Sequence, residues 1–260
     1  MSWDHAIQTV TPHVVRIDTP TGYGTGFLSM YNMDGSWCGI ATAAHVVQHA
    51  DEWQEPIRIR SFASQTVQFL KSEDRVIFID QPTDSAIILF LKRDLQLPQT
   101  PIGLLPMDQP CGIGRDLGWL GYPSLEPYSL CFFAGIVSAR KEATKAYLID
   151  GVAINGVSGG PVFHCPAPGE VQIIGSISAY HANRATGEAL PGLLRAQDVS
   201  HFHDVAKYVR DMDEARVKKQ QFEQAQQEKG ANSPPDGTPE EVAASALASL
   251  FQEPAAPVAK

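Results

Sequence analysis

The chain has 260 residues, of which 43% are hydrophobic and 19% charged, with a formal charge of -9 at neutral pH. That length admits one or two domains with a substantial core, and the acidic balance argues against nucleic acid, whose phosphates need a surface of clustered Lys and Arg. No apolar run approaches the ~18 residues of a membrane span. Met1–His5 lacks the basic and apolar parts of a signal peptide, and four cysteines without a C-x-x-C pair suit neither a disulfide scaffold nor structural zinc. The expectation is a cytoplasmic protein, reduced and away from membranes.

From residue 8 to about 200 the chain repeats one signal, short apolar or alternating runs broken by turn residues. The predicted strands of the first half are His13–Asp18, Gly24–Met30, Trp37–Thr42, Ile57–Arg60, Thr66–Leu70, Arg75–Ile79 and Ala86–Leu91. Asp34-Gly35 supplies a hairpin turn between the second and third. A proline-rich stretch, Leu95–Cys111, reads as a linker. The second half offers Leu117–Gly121, Leu130–Ser138, Ala146–Ile149, Pro161–His164 and Val171–Ala179. Many short strands with few helices point to an all-β barrel or sandwich.

After residue 200 the pattern turns helical. Val199–Lys229 carries Val205, Tyr208, Val209 and Met212 at helical spacing, with little apolar content beyond Asp213. Residues 231–237 form a break. Thr238-Pro239-Glu240-Glu241 then has the capping Thr, first-turn Pro and Glu of a helix start, and the following helix would align Leu247, Leu250 and Phe251. Thr238–Phe251 is therefore a candidate docking segment for a protein partner or for the body of the chain, and a polar disordered tail is the alternative.

The segment richest in chemistry is Gly156-Val157-Ser158-Gly159-Gly160-Pro161. Glycines beside a serine permit a tight turn that side chains would block. Such a turn can aim the Gly156 and Ser158 N–H groups at one point where an oxyanion could form. A glycine-rich turn without chemistry fits the same letters. A serine nucleophile needs a base, and His45, just past the apolar run Trp37–Thr42 and flanked by Ala43 and Ala44, is the candidate. Asp84, before the apolar Ala86–Leu91, could orient that imidazole, with Asp80 as runner-up and turn capping as the alternative for both. No metal or cofactor is implied, since His201-x-His203 and His164-Cys165 lack the spacing of zinc sites.

Thr25-Gly26-Phe27, Thr42-Ala43-Ala44-His45, Asp84-Ser85-Ala86-Ile87, Gly121-Tyr122-Pro123 and Gly156–Pro161 stand in an order that resembles the trypsin-like serine proteases, nearest their bacterial HtrA/Deg branch without a PDZ domain. The resemblance covers about residues 8–210. It implies two six-stranded antiparallel β-barrels, about 8–95 and 111–200, in a protease domain of residues 1–210; the C-terminal helix and partly flexible tail expected over 211–260 fall outside it. It also implies a serine endopeptidase acting on protein or peptide substrates through His45, Asp84 and Ser158. Residue by residue, it puts Val152 at the floor of the primary pocket and Ala153 and Ile177 along its wall. Ser178, Ala179 and Tyr180 fall on the strand that pairs with substrate backbone. With no carboxylate among these, cleavage after small or medium apolar residues is expected. Val157 stands where digestive relatives carry the Asp that binds a freshly cut N-terminus, so activation by such a cut is not expected. A catalytically silent module that holds peptides in the same cleft is the competing reading.

Overall fold

The computed structural model describes residues 3–152, 154–182 and 189–231. It divides into two compact units, Met1–Asp213 and Glu214–Lys260.

Seven strands build the first sheet: β1 (Val14–Thr19), β2 (Gly22–Tyr31), β3 (Trp37–Ala43), β4 (Ile57–Ser61), β5 (Val67–Leu70), β6 (Arg75–Asp80) and β7 (Ser85–Leu91). Their spatial order is β5-β4-β1-β2-β3-β7-β6, with antiparallel pairing throughout. The run Ala86–Phe90 is apolar at every position because β7 is covered on both faces. Ile88 and Phe90 enter one core with Val15, Ile17, Leu28, Ile40, Ile57 and Ile59, whereas Ile87 turns to the other core. The expected double-barrel architecture is present, with the first half a barrel-like sheet of seven strands rather than six and with β5 and β6 at its two edges. Between them a 3-10 turn, Ser72–Asp74, takes the chain round the corner. The buried Arg75 guanidinium bonds carbonyl oxygens there, and no ladder joins the edges.

The second half closes fully. Strands β8 (Asp116–Gly121), β9 (Cys131–Lys141), β10 (Ala146–Asp150), β11 (Pro161–His164), β12 (Gln172–Ala182) and β13 (Ala189–Asp198) form a six-stranded barrel in the order β10-β13-β12-β11-β8-β9. Trp119, Tyr147, Phe163 and Ile174 fill its core.

Among the described residues three α-helices accompany the strands: α1 (Asp4–Val10), α2 (Ala44–Glu52) and α3 (Ser200–Ala231). Along α3, Phe202, Val205 and Val209 are buried, and Phe202 meets Phe27 edge-on at 5.8 Å. Tyr208 and Met212, read as part of that apolar side, are 53% and 57% exposed. Tyr208 touches Phe78 only by its edge, and Asp213 instead accepts the Met33 N–H at 2.8 Å. Residues 238–251 lie outside the described residues. Among the described residues no helix is long and apolar enough to cross a membrane.

Candidate active site

His45 owes its place to a change of geometry at the end of β3. Ala43 is still extended, with ψ 144°, and α2 starts at the next residue, so His45 lies in the first helical turn. Asp84 ends the turn between β6 and β7 with φ +53°, a left-handed conformation that aspartate tolerates better than most side chains. From there its backbone and carboxylate serve together. The Asp84 carbonyl accepts the Ala44 N–H at 3.0 Å, and Oδ1 accepts the His45 N–H at 3.0 Å. The same carboxylate meets His45 Nδ1 through Oδ1 at 3.0 Å and Oδ2 at 2.9 Å. Asp84 therefore satisfies N–H groups that the start of α2 leaves without partners and fixes the ring of that same turn. Ser178 supplies a further bond, its hydroxyl donating to Asp84 Oδ2 at 2.8 Å. Asp80, the runner-up, accepts the Thr83 hydroxyl instead.

Ser158 comes from the loop between β10 and β11. Gly156 and Gly159 have φ of +89° and +81°, so both need glycine. Contact reinforces the requirement, because a Cβ on Gly159 would collide with Thr42 Oγ1 and the Thr25 carbonyl, and one on Gly156 with the Tyr122 carbonyl. Thr25, fully buried on β2, ties the loop to the first sheet. Its N–H donates to Ser158 O at 2.9 Å, its hydroxyl donates to Gly156 O at 2.8 Å, and that hydroxyl accepts the Tyr122 N–H at 3.1 Å.

These bonds also orient amides. A trans peptide sets its C=O and N–H antiparallel, and the described residues contain no cis bond. Gly160 N–H holds the Val157 carbonyl at 2.9 Å, turning the Ser158 N–H the opposite way. Ser124 N–H holds the Asn155 carbonyl at 2.7 Å and does the same for the Gly156 N–H. Among the described residues neither the Gly156 nor the Ser158 N–H has a backbone acceptor.

His45 and Ser158 line one cleft of about 260 Å3, without a hydrogen bond between them. Catalytic bonds of this kind often tighten only around substrate. Thr19, Thr21 and Tyr23 of the β1–β2 hairpin and Asn155 complete the walls. Sequence reasoning passed over these residues; the alternation Gly22-Tyr23-Gly24, which leaves one large side chain between two bare backbones, was the available signal.

The residues expected to set specificity are dispersed. Val152 is 54% exposed beyond the end of β10, and Ala153 lies outside the described residues. Ile177 is buried in the core, where its carbonyl accepts the Gly159 N–H at 2.6 Å. It supports the serine loop from beneath. Ser178 is buried too, its hydroxyl committed to Asp84. Ala179 and Tyr180 pair with Arg195 and Leu194 of β13, whereas the β11 ladder on the other edge of β12 stops at Ser176. That edge is therefore unpaired from Ser178 onward among the described residues. Val157, 1% exposed, packs against Gly121. His201 and His203 diverge to the carbonyls of Phe78 and Leu105, and no group of three or more metal-ligating side chains occurs among the described residues.

A family model described as a trypsin-like peptidase domain matches residues 24–172, a span that includes His45, Asp84 and Ser158. The chain belongs to the trypsin-like peptidase domain family. It is thus a serine endopeptidase by class. Solved structures share the fold at low identity. An inactive serine-to-alanine mutant of Rv3671c from M. tuberculosis H37Rv is 19% identical, with TM-score 0.53 over 77% of this chain and 88% of that one. The serine endoprotease from Yersinia pestis is 18% identical, with TM-score 0.58 over 80% and 66%. Deg5 is 20% identical, with TM-score 0.55 over 76% and 88%. A search of curated proteins finds no match.

Proposed function

We propose that this chain cleaves peptide bonds with Ser158 as nucleophile, His45 as base and Asp84 as the residue that orients His45. The observation that carries the reading is the two-oxygen contact of Asp84 with His45 Nδ1, at 3.0 and 2.9 Å, beside a cleft that His45 shares with Ser158. With Nδ1–H donated to Asp84, Nε2 is the basic nitrogen. Ser158 Oγ adds to the substrate carbonyl carbon as its proton passes to Nε2, and the Gly156 and Ser158 N–H groups bind the oxyanion. The same proton then goes to the leaving amine as the C–N bond breaks. Water, deprotonated by His45, releases the acyl group and restores Ser158.

Substrate would lie along the unpaired edge of β12 from Ser178, by strand addition. Small or medium apolar residues before the scissile bond suit the exposed Val152. A reducing cytoplasmic location fits the four unpaired cysteines, Cys38, Cys111, Cys131 and Cys165. Residues 238–251 are proposed to dock a protein partner through Leu247, Leu250 and Phe251, and deletion of residues 230–260 should abolish that association without unfolding the protease unit.

Fluorophosphonate labelling, with mapping of the adduct and of peptide-library products, tests the reading. Adduct on Ser158, loss of cleavage in Ser158→Ala and apolar residues before the cut are the expected results. Undiminished hydrolysis by Ser158→Ala would refute the assignment of the nucleophile. A wild-type protein that binds peptides in the cleft yet never labels would establish the silent binding module.

A further inference from the structure

The Gly156 amide owes its direction to a loop that packs poorly. Between β8 and β9, Ser124 donates its N–H to the Asn155 carbonyl and thereby turns the Gly156 N–H outward. From Ser124 to Ser129 every residue except Pro127 is exposed, with Leu125 at 78% and Tyr128 at 82%. Apolar burial cannot hold such a segment, so polar ties must. Its internal bonds, Glu126 N–H to Pro123 O and Ser129 N–H to Glu126 O, shape the loop without anchoring it.

The anchor comes from the other half of the protein. Arg16, on β1, donates from Nη1 to the Pro127 carbonyl. Its guanidinium carbon lies 4.0 Å from the centre of the Tyr23 ring and 5.4 Å from that of Tyr128, so the loop is gripped through both a carbonyl and an aromatic face. Asp18 accepts from Arg16 Nε at 2.8 Å and orients the fork. The side chain of Arg16 is only 11% exposed, which shields these contacts from solvent. Tyr23 joins the arrangement to the site a second time, since its ring stands where a Cβ on Gly156 would fall.

We infer that Arg16 is a positioning residue for the oxyanion amide of Gly156, acting through Pro127, Ser124 and the Asn155 carbonyl; this rests on Gly156 having the role proposed above. Glycine at 156 offers no side-chain barrier to rotation of the peptide before it, so the amide stays where its carbonyl is held. Loosening the Arg16 clamp frees residues 124–129, weakens the Ser124 bond and lets the Gly156 N–H leave the oxyanion position. Substrate pairing along β12 involves neither Arg16 nor the 124–129 loop. The defect should therefore fall on kcat rather than KM.

Arg16→Met and Arg16→Lys, compared with wild type, test this by steady-state peptide cleavage and by hydrogen exchange of segments 122–130 and 154–158. Arg16→Met should exchange faster in both segments and lose about ten- to a hundredfold in kcat, less than the 10²–10³ for outright loss of a donor. KM should stay within about twofold. Arg16→Lys, which keeps a donor for the Pro127 carbonyl, should recover much of both. Asp18 remains paired with Arg58 Nε at 3.0 Å in either variant, so the fold should persist, and Arg16→Gln, which loses the charge and the fork, replaces Arg16→Met in the test if the latter does not fold. Unchanged exchange over 154–158, unchanged kcat, or a loss confined to KM would overturn the inference. Should the wild type neither cleave nor label, the catalytic reading fails by itself, and exchange over 154–158 still decides whether Arg16 positions the Gly156 peptide.

Discussion

Replacing Thr25 by valine removes one hydroxyl while nearly conserving shape, at the point where the first sheet grips the serine loop. That hydroxyl is fully buried, donates to Gly156 O at 2.8 Å and accepts the Tyr122 N–H at 3.1 Å. Valine offers neither group. The Tyr122 N–H, in a residue only 4% exposed, would be left without a partner, at a cost of about 1–3 kcal/mol. Gly156 O is partly accessible and can recover water, so its loss is nearer the ~1 kcal/mol of an ordinary net hydrogen bond. The sum predicts destabilisation of about 2–4 kcal/mol. Denaturant unfolding of wild type, Thr25→Val and Thr25→Ser measures it, with the serine variant as the control that keeps the hydroxyl and loses only a methyl. Fluorophosphonate labelling should slow in Thr25→Val, because the freed Gly156 carbonyl no longer braces the turn. Valine and wild type agreeing within about 0.5 kcal/mol, with equal labelling rates, would show that the Thr25 bonds do not hold the loop.

Gly159→Ala should be among the most damaging single substitutions, since φ is +81° and the new methyl would collide with Thr42 and Thr25; little soluble, labelling-competent protein is expected on expression. Arg75 is 7% exposed and donates to the carbonyls of Leu70, Ala50 and Glu55 at 2.7–2.9 Å, so Arg75→Met removes three bonds at the corner that closes α2, where Ala50 O keeps only the Glu55 N–H. A loss of about 2–5 kcal/mol is expected, read as a Tm lower by roughly 5–15 °C in calorimetry. Cys38 is fully buried, and burial pushes its thiol up to about 12, so a maleimide should modify Cys131 in the native protein and reach Cys38 only after unfolding. Burial lowers the pKa of His164 below its ordinary 6.5. Around that pH the unfolded chain binds more protons at this position, so stability contributed by neutral His164 is present above the window and lost as pH falls through it. His164→Gln should flatten that part of the stability curve in unfolding titrations run across the window.

The legible parts of this protein are those where one residue type answers one local demand. Gly156 and Gly159 could be read because positive φ and backbone crowding leave no other choice, and Ser158 stands between them for the same reason. The alternation of Ile57 and Ile59 with Arg58 and Arg60 announced a half-buried strand, and β4 runs through all four. All seven strands of the first sheet are legible as short apolar or alternating runs, and the count of six came from the resemblance alone; the way Arg75 and the Ser72–Asp74 turn handle the corner was not legible. β13 was missed because Pro191 and Gly192 break its apolar pattern, and only pairing with β10 and β12 makes it a strand. Tyr208 and Met212 have the spacing of a buried stripe but lie where α3 runs past the edge of its contact surface. Ser178 and Ile177 illustrate the limit most clearly. Both were assigned by position, and their actual partners, Asp84 and Gly159, lie far away along the chain.

Those two residues also explain how a site divided between two halves keeps its geometry. Asp84 and His45 belong to the first half, in the β6–β7 turn and the start of α2, whereas Ser158 belongs to the second barrel, so independent motion of the halves would separate the proposed base from the proposed nucleophile. The bonds that oppose such motion leave the Ser158 hydroxyl and His45 Nε2 free. Ser178 reaches from β12 to Asp84, Thr25 reaches from β2 to the Gly156 and Ser158 carbonyls, and Thr42, by donating to the Thr25 carbonyl at 2.7 Å, steadies that connection. All but the Thr25 N–H to the Ser158 carbonyl use a small hydroxyl with backbone or carboxylate as partner, in places too confined for a longer side chain. A hydroxyl at such a junction stabilises the fold and the site through the same bond. Variants at Thr25, Thr42 and Ser178 should therefore lose stability and labelling rate together, in contrast to Arg16→Met, where activity should fall while the fold holds.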